Sequence, residues 1–145
     1  MATKQRRPKK KYFTPAEAGS MLPLVRAIVK DITDLSHSLR DRQTRLDRLQ
    51  KDGVRSGLIT AAELEEEESV FASDMERLQD CTTELSRLGV ELKDFLTGLV
   101  DFPCWMDGRE ICLCWKHGEA ELGWWHEVDA GFRGRQPLDV LAEVN

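Results

Sequence analysis

The stretch Leu99–Glu127, LVDFPCWMDGREICLCWKHGEAELGWWHE, decides the fold of this 145-residue chain and contains its four tryptophans. Short runs of aromatic and β-branched residues, separated by turn residues, are typical of β-strands. Asp107-Gly108 predicts a two-residue hairpin turn, and His117-Gly118-Glu119 predicts a second tight turn. The stretch therefore predicts a small three- to four-stranded antiparallel β-meander, preceded by residues 90–93, whose alternation is that of a half-buried strand.

The two turns predict how the strands pair. The first pairs Met106 with Arg109, and a second turn at Gly118-Glu119 pairs Trp115 with Leu122. Because successive side chains of a strand point to opposite faces, this pairing sorts them into two sets. The first set is apolar and should pack on helices: Val100, Phe102, Cys104, Ile111, Leu113, Trp115, Leu122, Trp124 and His126. The second set mixes acids, thiols and indoles: Asp101, Pro103, Trp105, Glu110, Cys112, Cys114, Lys116, Glu121, Gly123, Trp125 and Glu127.

Two indoles in the second set, Trp105 and Trp125, are unusual on a solvent-facing sheet. Large amphipathic aromatic residues are enriched in interface hot spots, which favours a contact surface. Two other interpretations stay open. The segment Gly131–Leu141 can fold back and cover these residues, or the set can form a ligand site.

Two helix starts lie upstream of the meander. Thr14-Pro15-Ala16-Glu17 and Thr60-Ala61-Ala62-Glu63 are capping boxes, and Asp52-Gly53 and Gly89 predict left-handed helix ends. Apolar residues recur at seven-residue steps in both segments, among them Ala18, Val25, Ile32, Leu39, Leu46, then Leu64, Phe71, Leu78 and Leu85. The sequence therefore predicts an α+β fold: a long antiparallel two-helix, coiled-coil-like hairpin over residues 14–89, then the β-meander and C-terminal segment over residues 90–145.

A two-helix hairpin of this length buries only one stripe of each helix, and such hairpins commonly acquire a further partner. A second copy of the chain, forming a four-helix arrangement, is the simplest partner. The apolar stripe widens at Met21 and Ile28, so these residues are the predicted helical contact of a homodimer.

Length, charge and cysteine content set further limits. A chain of 145 residues predicts a single domain, here residues 12–145. The first eleven residues have six basic and no acidic side chains, a net charge of +6. Since the whole chain has a net charge of −5, the remaining residues have a net charge of −11. This basic segment predicts a disordered tail, with a weak possibility of nucleic-acid contact.

No apolar run approaches the roughly 20 residues of a membrane span, and no secretory signal is present. We therefore expect a cytoplasmic protein with no membrane contact and four free thiols.

Several blocks of the sequence resemble a small bacterial family, domain of unknown function 2203. They are Gly98-Leu99-Val100-Asp101-Phe102-Pro103, Leu113-Cys114-Trp115, Gly118-Glu119, Trp125-His126-Glu127, Gly131-Phe132 and Gly134-Arg135-Gln136-Pro137-Leu138, with Phe13–Ala18, Leu22-Pro23 and Leu88–Asp94 upstream. The resemblance covers nearly the whole chain after the tail and implies that the meander is the family's signature. It implies no activity, cofactor or catalytic residue. The family pattern has tyrosine at the position of Cys112, which makes Cys112 a poor candidate for shared chemistry.

A candidate polar site lies where the meander meets the C-terminal loop: Lys93, Asp101, Glu119, His126, Glu127 and Arg135. Such residues can perform acid–base chemistry or bind an anion, but structural ion pairs use the same residue types.

His117, Glu119 and His126 follow the order of a two-histidine, one-carboxylate metal site, but the predicted register separates them, so we expect no metal. Cys112 and Cys114 lack the paired spacing of zinc ligands, and Asp101 opposite Cys114 should raise its pKa. We expect inert thiols and no cofactor.

The sequence thus favours a non-enzymatic cytoplasmic interaction or scaffold protein acting as a homo-oligomer. Its predicted contact residues are Trp105, Trp125, Met21 and Ile28. The alternative is an enzyme or a small-ligand or metal-binding protein that uses the candidate polar site.

Overall fold

Two helices and an antiparallel sheet make up the computed structural model, which describes residues 10–139 and confirms the predicted α+β hairpin and meander. The helices are α1 (Pro15–Arg48), continued by a π-helical turn (Leu49–Gly53), and α2 (Ala61–Arg87). The strands are β1 (Glu91–Asp94), β2 (Leu99–Met106), β3 (Arg109–Lys116), β4 (Trp124–Glu127) and β5 (Gln136–Pro137), with a 3-10 turn at Phe132–Gly134. They lie in the order β1-β2-β3-β4-β5, so β5 makes one strand more than the sequence predicts.

The ends of the helices mostly follow the sequence signals. The Thr14 hydroxyl accepts the N–H of Glu17 at 3.1 Å, and the Glu17 carboxylate accepts the N–H of Thr14 at 3.2 Å, which completes the first capping box. Gly89 ends α2 in the left-handed region, with φ of 89°. The left-handed end predicted at Gly53 is wrong. Gly53 is buried in the π-helical turn, where an added Cβ would meet Leu49 and Ile59 at 3.0 Å.

The two helices run antiparallel, because Arg42 pairs with Asp74 while Arg45, further along α1, pairs with Glu67, earlier in α2. The core against the sheet uses α1 as far as Ile32 and α2 from Leu78 onwards. Residues 38–77 extend beyond that core, and we call them the arm. Residues 38–53 alone span about 24 Å at the rise of an α-helix. The arm has its own small buried set: Leu39, Leu46, Leu49 and Ile59.

The register between β2 and β3 is as predicted, with Met106 opposite Arg109 and Cys104 opposite Ile111. The predicted register between β3 and β4 is wrong by one residue. Leu113 lies opposite Trp125, not Trp124, and Cys112 lies opposite His126. Since strand side chains alternate, the shift exchanges the faces of every residue in β4.

The cause of the shift is the connection between β3 and β4. The predicted tight turn does not lead directly back into a strand, and β4 begins only at Trp124. The carboxylate of Glu119 accepts the backbone N–H of Lys116 at 2.7 Å, and the Glu119 carbonyl accepts the indole N–H of Trp115 at 3.1 Å. The first of these bonds uses the backbone N–H of Lys116, which therefore does not pair with β4.

The sheet therefore has an inner face and an outer face that differ from the prediction in β4. The inner face packs on the helices and consists of Val100, Phe102, Cys104, Ile111, Leu113, Trp115 and Trp125. The outer face consists of Asp101, Pro103, Trp105, Glu110, Cys112, Cys114, Lys116, Trp124 and His126.

This placement corrects the predicted contact residues. Trp125 belongs to the core and is 7% exposed, so its assignment to the second face was wrong. Ile28 is 5% exposed and packs in the same core, and Met21 is half-buried against it. Trp105 is the exposed member of the set, at 58%, and the ring of Tyr12 packs edge-on against it.

Both ends of the described chain return to the sheet. Lys10 and Lys11, which the sequence analysis placed in the tail, are part of this contact: Lys10 Nζ lies 2.6 Å from Glu110, and Lys11 lies over the ring of Phe13. Residues 1–9 and 140–145, with the rest of the predicted tail and the end of the chain, lie outside the described residues.

None of the helices between residues 10 and 139 combines the length and apolarity of a membrane span.

Gly98 provides a test of how the sheet is attached to α1. It has φ of 69°, and a Cβ there would lie 2.7 Å from Val29 and 2.8 Å from Thr33, both on α1. We expect Gly98→Ala to lower the free energy of unfolding by about 3 kcal/mol, since backbone strain and overpacking act together. Urea denaturation measures the change.

The matched control is Gly108→Ala, at a position with φ of 75° but no atom within 4 Å of an added Cβ. Strain alone should cost about 1 kcal/mol there. Equal losses in the two variants would show that the close approach of Gly98 to α1 contributes nothing.

Candidate functional site

The centre of the outer face is a buried group of three polar side chains. Asp101 in β2 lies opposite Cys114 in β3, and His126 in β4 lies on the same face one strand further. Asp101 and His126 are each 3% exposed, and Cys114 is fully buried. A carboxylate oxygen, the thiol sulfur and an imidazole nitrogen lie within 4.8 Å of one another. Three neighbouring strands thus bring together three different chemical groups.

The hydrogen bonds of His126 define where its protons are. Its Nδ1 lies 2.7 Å from the carbonyl oxygen of Glu127, and because a carbonyl only accepts, Nδ1 carries a proton. Its Nε2 lies 2.9 Å from Oδ1 of Asp101, and a proton must lie between these two atoms for the bond to form. The pair is either an imidazolium with a carboxylate or a neutral imidazole with a carboxylic acid, and in both cases it shares one proton.

The neighbouring thiols are held in their neutral form. Burial, and then the negative charge of Asp101, raise the pKa of Cys112 and of Cys114 to about 12. Burial also raises the pKa of Cys104 on the inner face. Reactive cysteines need the opposite environment, because the thiolate is the nucleophile. The expectation that Asp101 raises the pKa of Cys114 is confirmed.

A cysteine–histidine–aspartate triad does not fit this arrangement, although all three residue types are present. In such a triad one imidazole nitrogen faces the thiol and the other faces the carboxylate. Here Nε2 bonds Asp101 and Nδ1 bonds the backbone, so neither nitrogen is free to accept the proton of Cys114. The cluster is therefore not arranged for nucleophilic catalysis.

Arg135 joins the C-terminal loop to one edge of the cluster. Its guanidinium makes two hydrogen bonds to the Glu119 carboxylate, at 3.0 and 2.9 Å, and Nη1 lies 4.0 Å from the sulfur of Cys114. The same group contacts the rings of Trp124 and Phe132, with its central carbon 4.5 and 4.4 Å from the ring centroids. The returning C-terminal segment thus covers the part of the outer face around Cys114 and Trp124, whereas Trp105, which the sequence analysis expected it to cover as one alternative, is 58% exposed.

The remaining predicted site residues lie apart from the cluster. Lys93 pairs with Glu91 at 3.3 Å on β1. Glu127 pairs with Arg109 at 2.6 Å, and this hydrogen bond lowers the pKa of Glu127. His117 packs edge-on against Trp115, while Glu119 binds Arg135, so the histidine and carboxylate order noted in the sequence does not form a metal site.

Of the predicted polar residues, Asp101 and His126 come together, and Glu119 and Arg135 come together beside them. The sequence analysis placed Cys114 opposite Asp101, as the structure does, but missed that His126 joins them, because the predicted register put His126 on the other face. The segment between Lys116 and Trp124 is longer than a tight turn, and this length is known only from the structure.

The fold and the cluster define an α+β protein with a helical hairpin and a five-stranded meander around a buried polar centre. A family model described as an uncharacterized conserved protein, DUF2203, matches residues 11–138, and the chain belongs to this family. The comparisons with curated proteins and with solved structures gave no significant match. The resemblance noted from the sequence blocks is therefore confirmed.

The environment of the thiols predicts their reactivity. At about pH 8 we expect a disulfide reagent to modify half-buried Cys81 first, and the three buried cysteines at least about 100-fold more slowly, because almost no thiolate is present. Four thiols should react after denaturation. In Cys81→Ser the fast phase should vanish, and a fast phase that persists would contradict the assignment.

The Arg135 contact predicts a specific loss of stability. Arg135→Lys keeps the charge but loses the bidentate hydrogen bond to Glu119 and the planar contact with the two aromatic rings. We therefore expect the free energy of unfolding to fall by about 2 kcal/mol. The control is Arg133→Lys, at an exposed arginine in the 3-10 turn that directly precedes Arg135, which should change stability by less than about 0.5 kcal/mol. Similar losses in both would argue against an Arg135-specific role.

Proposed function

We propose that this protein is a non-enzymatic cytoplasmic interaction module that acts as a homodimer, with one side of the arm as its contact surface. The observation that carries the proposal is a groove on the arm whose two rims have opposite charge. Two copies related by a twofold axis can place the basic rim of one against the acidic rim of the other.

The arm buries little of its own apolar surface. In α2, all of which is described, Leu85 is the one fully buried residue, and it lies at the end nearest the sheet. Within the arm, Leu58 is 76% exposed and Val70 is 45% exposed. A two-helix hairpin with apolar residues open to solvent gains stability when a second pair of helices covers them.

The groove follows one side of the arm. A cavity of about 630 Å³ near the tip has an apolar floor formed by Leu49, Leu58 and Ile59. A neighbouring cavity of about 320 Å³ contains Leu46 and Val70. Arg45 and Glu67, which pair with each other, line both cavities, so the two cavities are adjacent along the arm.

Charge favours a second copy as the occupant of this groove. In α1 the stretch Arg40–Lys51 has five basic and two acidic residues, whereas Glu63–Glu76 of α2 has seven acidic and no basic residues. The groove rims follow this division only in part: the α1 side has Arg42, Arg45 and Arg48 but also Asp41 and Asp52, whereas the charged residues of the α2 side are all acidic, Glu63, Glu66 and Glu67. Arg42 and Arg45 already pair with Asp74 and Glu67 of the same chain. A twofold arrangement adds a contact between the basic side of each copy and the acidic side of the other, which a partner of a single charge sign does not.

The size of the surface indicates a modest affinity. A side about 24 Å long and two helices wide offers roughly 500 Å² per copy, or roughly 1,000 Å² in total. That is near the lower limit of specific interfaces. Surface ion pairs contribute about 0–1 kcal/mol each. The exposed side chains of Leu58 and Val70 therefore supply the apolar part of the affinity, and the rims select the partner.

An enzymatic function has less support. The predicted polar residues are bonded in pairs, as Asp101 with His126, Glu119 with Arg135, and Glu127 with Arg109. The buried thiols are protonated. These features favour a structural use of the polar residues.

The test is the mass of the full-length protein by light scattering at tens of micromolar. We expect twice the 16.6 kDa of the chain, with dissociation on dilution and at high salt. Arg45→Glu puts an acidic side chain on the basic rim, where it faces the acidic rim of the second copy, and should weaken the dimer about tenfold, since a twofold interface contains the change twice. The double variant Arg45→Glu with Glu67→Arg restores opposite rims and should restore the dimer.

The matched control is Arg40→Glu, which makes the same change of charge in the same helix at a residue that lines neither cavity. It should leave the dimer unchanged. A wild-type monomer at these concentrations would overturn the proposal, as would a loss in Arg40→Glu equal to that in Arg45→Glu.

A further inference from the structure

The buried cluster of Asp101, Cys114 and His126 has the chemical groups of a transition-metal site. A carboxylate oxygen, a thiolate sulfur and an imidazole nitrogen each bind zinc. The three atoms lie within 4.8 Å of one another. Zinc bonds of roughly 2.0–2.3 Å in a tetrahedral arrangement place ligand atoms about 3.5 Å apart, so side-chain shifts of about 1 Å suffice.

His126 is oriented as a metal-binding histidine is. Its Nδ1–H donates to the carbonyl of Glu127, which leaves Nε2 directed at Asp101. A hydrogen bond from one ring nitrogen to a carbonyl fixes the tautomer and orientation of histidine ligands and raises the basicity of the other nitrogen. This support comes from the backbone of the same strand, so it is present before any ion binds.

We propose that Asp101, Cys114 and His126 bind one divalent ion of the zinc class at the centre of the outer face. The three ligands come from β2, β3 and β4, so the ion would link three strands. The proposal is independent of the dimer, because no ligand lies in the arm.

The charges and protons of the proposed site balance. One carboxylate and one thiolate neutralise a divalent cation, which limits the cost of burying the ion. Binding replaces two protons: the thiol proton of Cys114 and the proton shared by Asp101 and His126. The Nδ1 proton of His126 stays on its bond to Glu127. The positive charge of nearby Arg135 is already paired with Glu119.

Burial determines how the ion would enter. Asp101, Cys114 and His126 are at most 3% exposed, and Arg135 covers one side of the cluster. We therefore expect loading as the chain folds, and slow exchange afterwards. A structural site of this kind stabilises the folded state directly, because the unfolded chain does not hold the three ligands together.

The experiment uses the full-length protein, unfolded with a chelator present and refolded with Co²⁺ as a spectroscopic substitute for Zn²⁺. We expect one Co²⁺ per chain by native mass spectrometry and an absorption band from thiolate-to-cobalt charge transfer. Zn²⁺ should displace the cobalt and remove the band. Because the thiol of Cys114, whose pKa is raised to about 12, must lose its proton to bind the ion, the apparent affinity should rise by at least about tenfold per pH unit near neutrality.

Two variants separate the ligand from its neighbour. Cys114→Ser should abolish the band and weaken binding about 100-fold or more. Cys112→Ser changes the same residue type on the same face of β3, two positions away, and should keep both band and stoichiometry. Circular dichroism checks that each variant is folded.

Three results would overturn the proposal. The first is that refolded wild-type protein binds less than one Co²⁺ per chain and shows no charge-transfer band; this result can be interpreted without any variant. The band could persist in folded Cys114→Ser, or it could be lost equally in Cys112→Ser.

Discussion

The carboxylate of Glu119 determines how the second half of the sheet is arranged. It accepts a hydrogen bond from the backbone N–H of Lys116 at the end of β3, and it also accepts hydrogen bonds from Nη1 and Nη2 of Arg135. Because this end of β3 is occupied, the chain passes through a longer connection before β4 begins. The result is a shift of one residue, which turns Trp125 into the core and His126 onto the outer face. The buried cluster exists only in this register.

The outer face shows how a sheet can bury polar groups without leaving them unpaired. Asp101 and His126 share a proton, and the second nitrogen of His126 is bonded to the backbone, so the pair is close to neutral as a unit. The same environment keeps Cys112 and Cys114 protonated, with pKa values raised to about 12. Burial of a lone charge would cost several kcal/mol, which explains why these side chains occur together.

The parts of the fold that depend on local chemistry could be predicted from the sequence. Thr14 and Glu17 form their capping box, Gly89 ends α2, and Asp107-Gly108 gives the register of β2 and β3, because each signal acts within a few residues. The register of β4 could not be predicted, because it depends on Arg135, which lies 16 residues beyond Glu119 in the chain. For the same reason, only a part of the candidate site could be predicted. Its residue types were identified, but whether His126 faces Asp101 follows from that register.

The backbone N–H of Phe13 donates to the carbonyl of Pro103 at 2.7 Å, and its ring packs edge-on against Phe102. These contacts join the start of the described chain to a strand about ninety residues later in the sequence. The hairpin between α1 and α2 involves much shorter separations, and contacts of low sequence separation generally form faster. We therefore expect the residues that are synthesised first to take their final positions last. Until β2 is available, the ring of Phe13 lacks its contact with Phe102, so a ribosome-bound chain would expose more of this apolar ring to solvent throughout the synthesis of the hairpin.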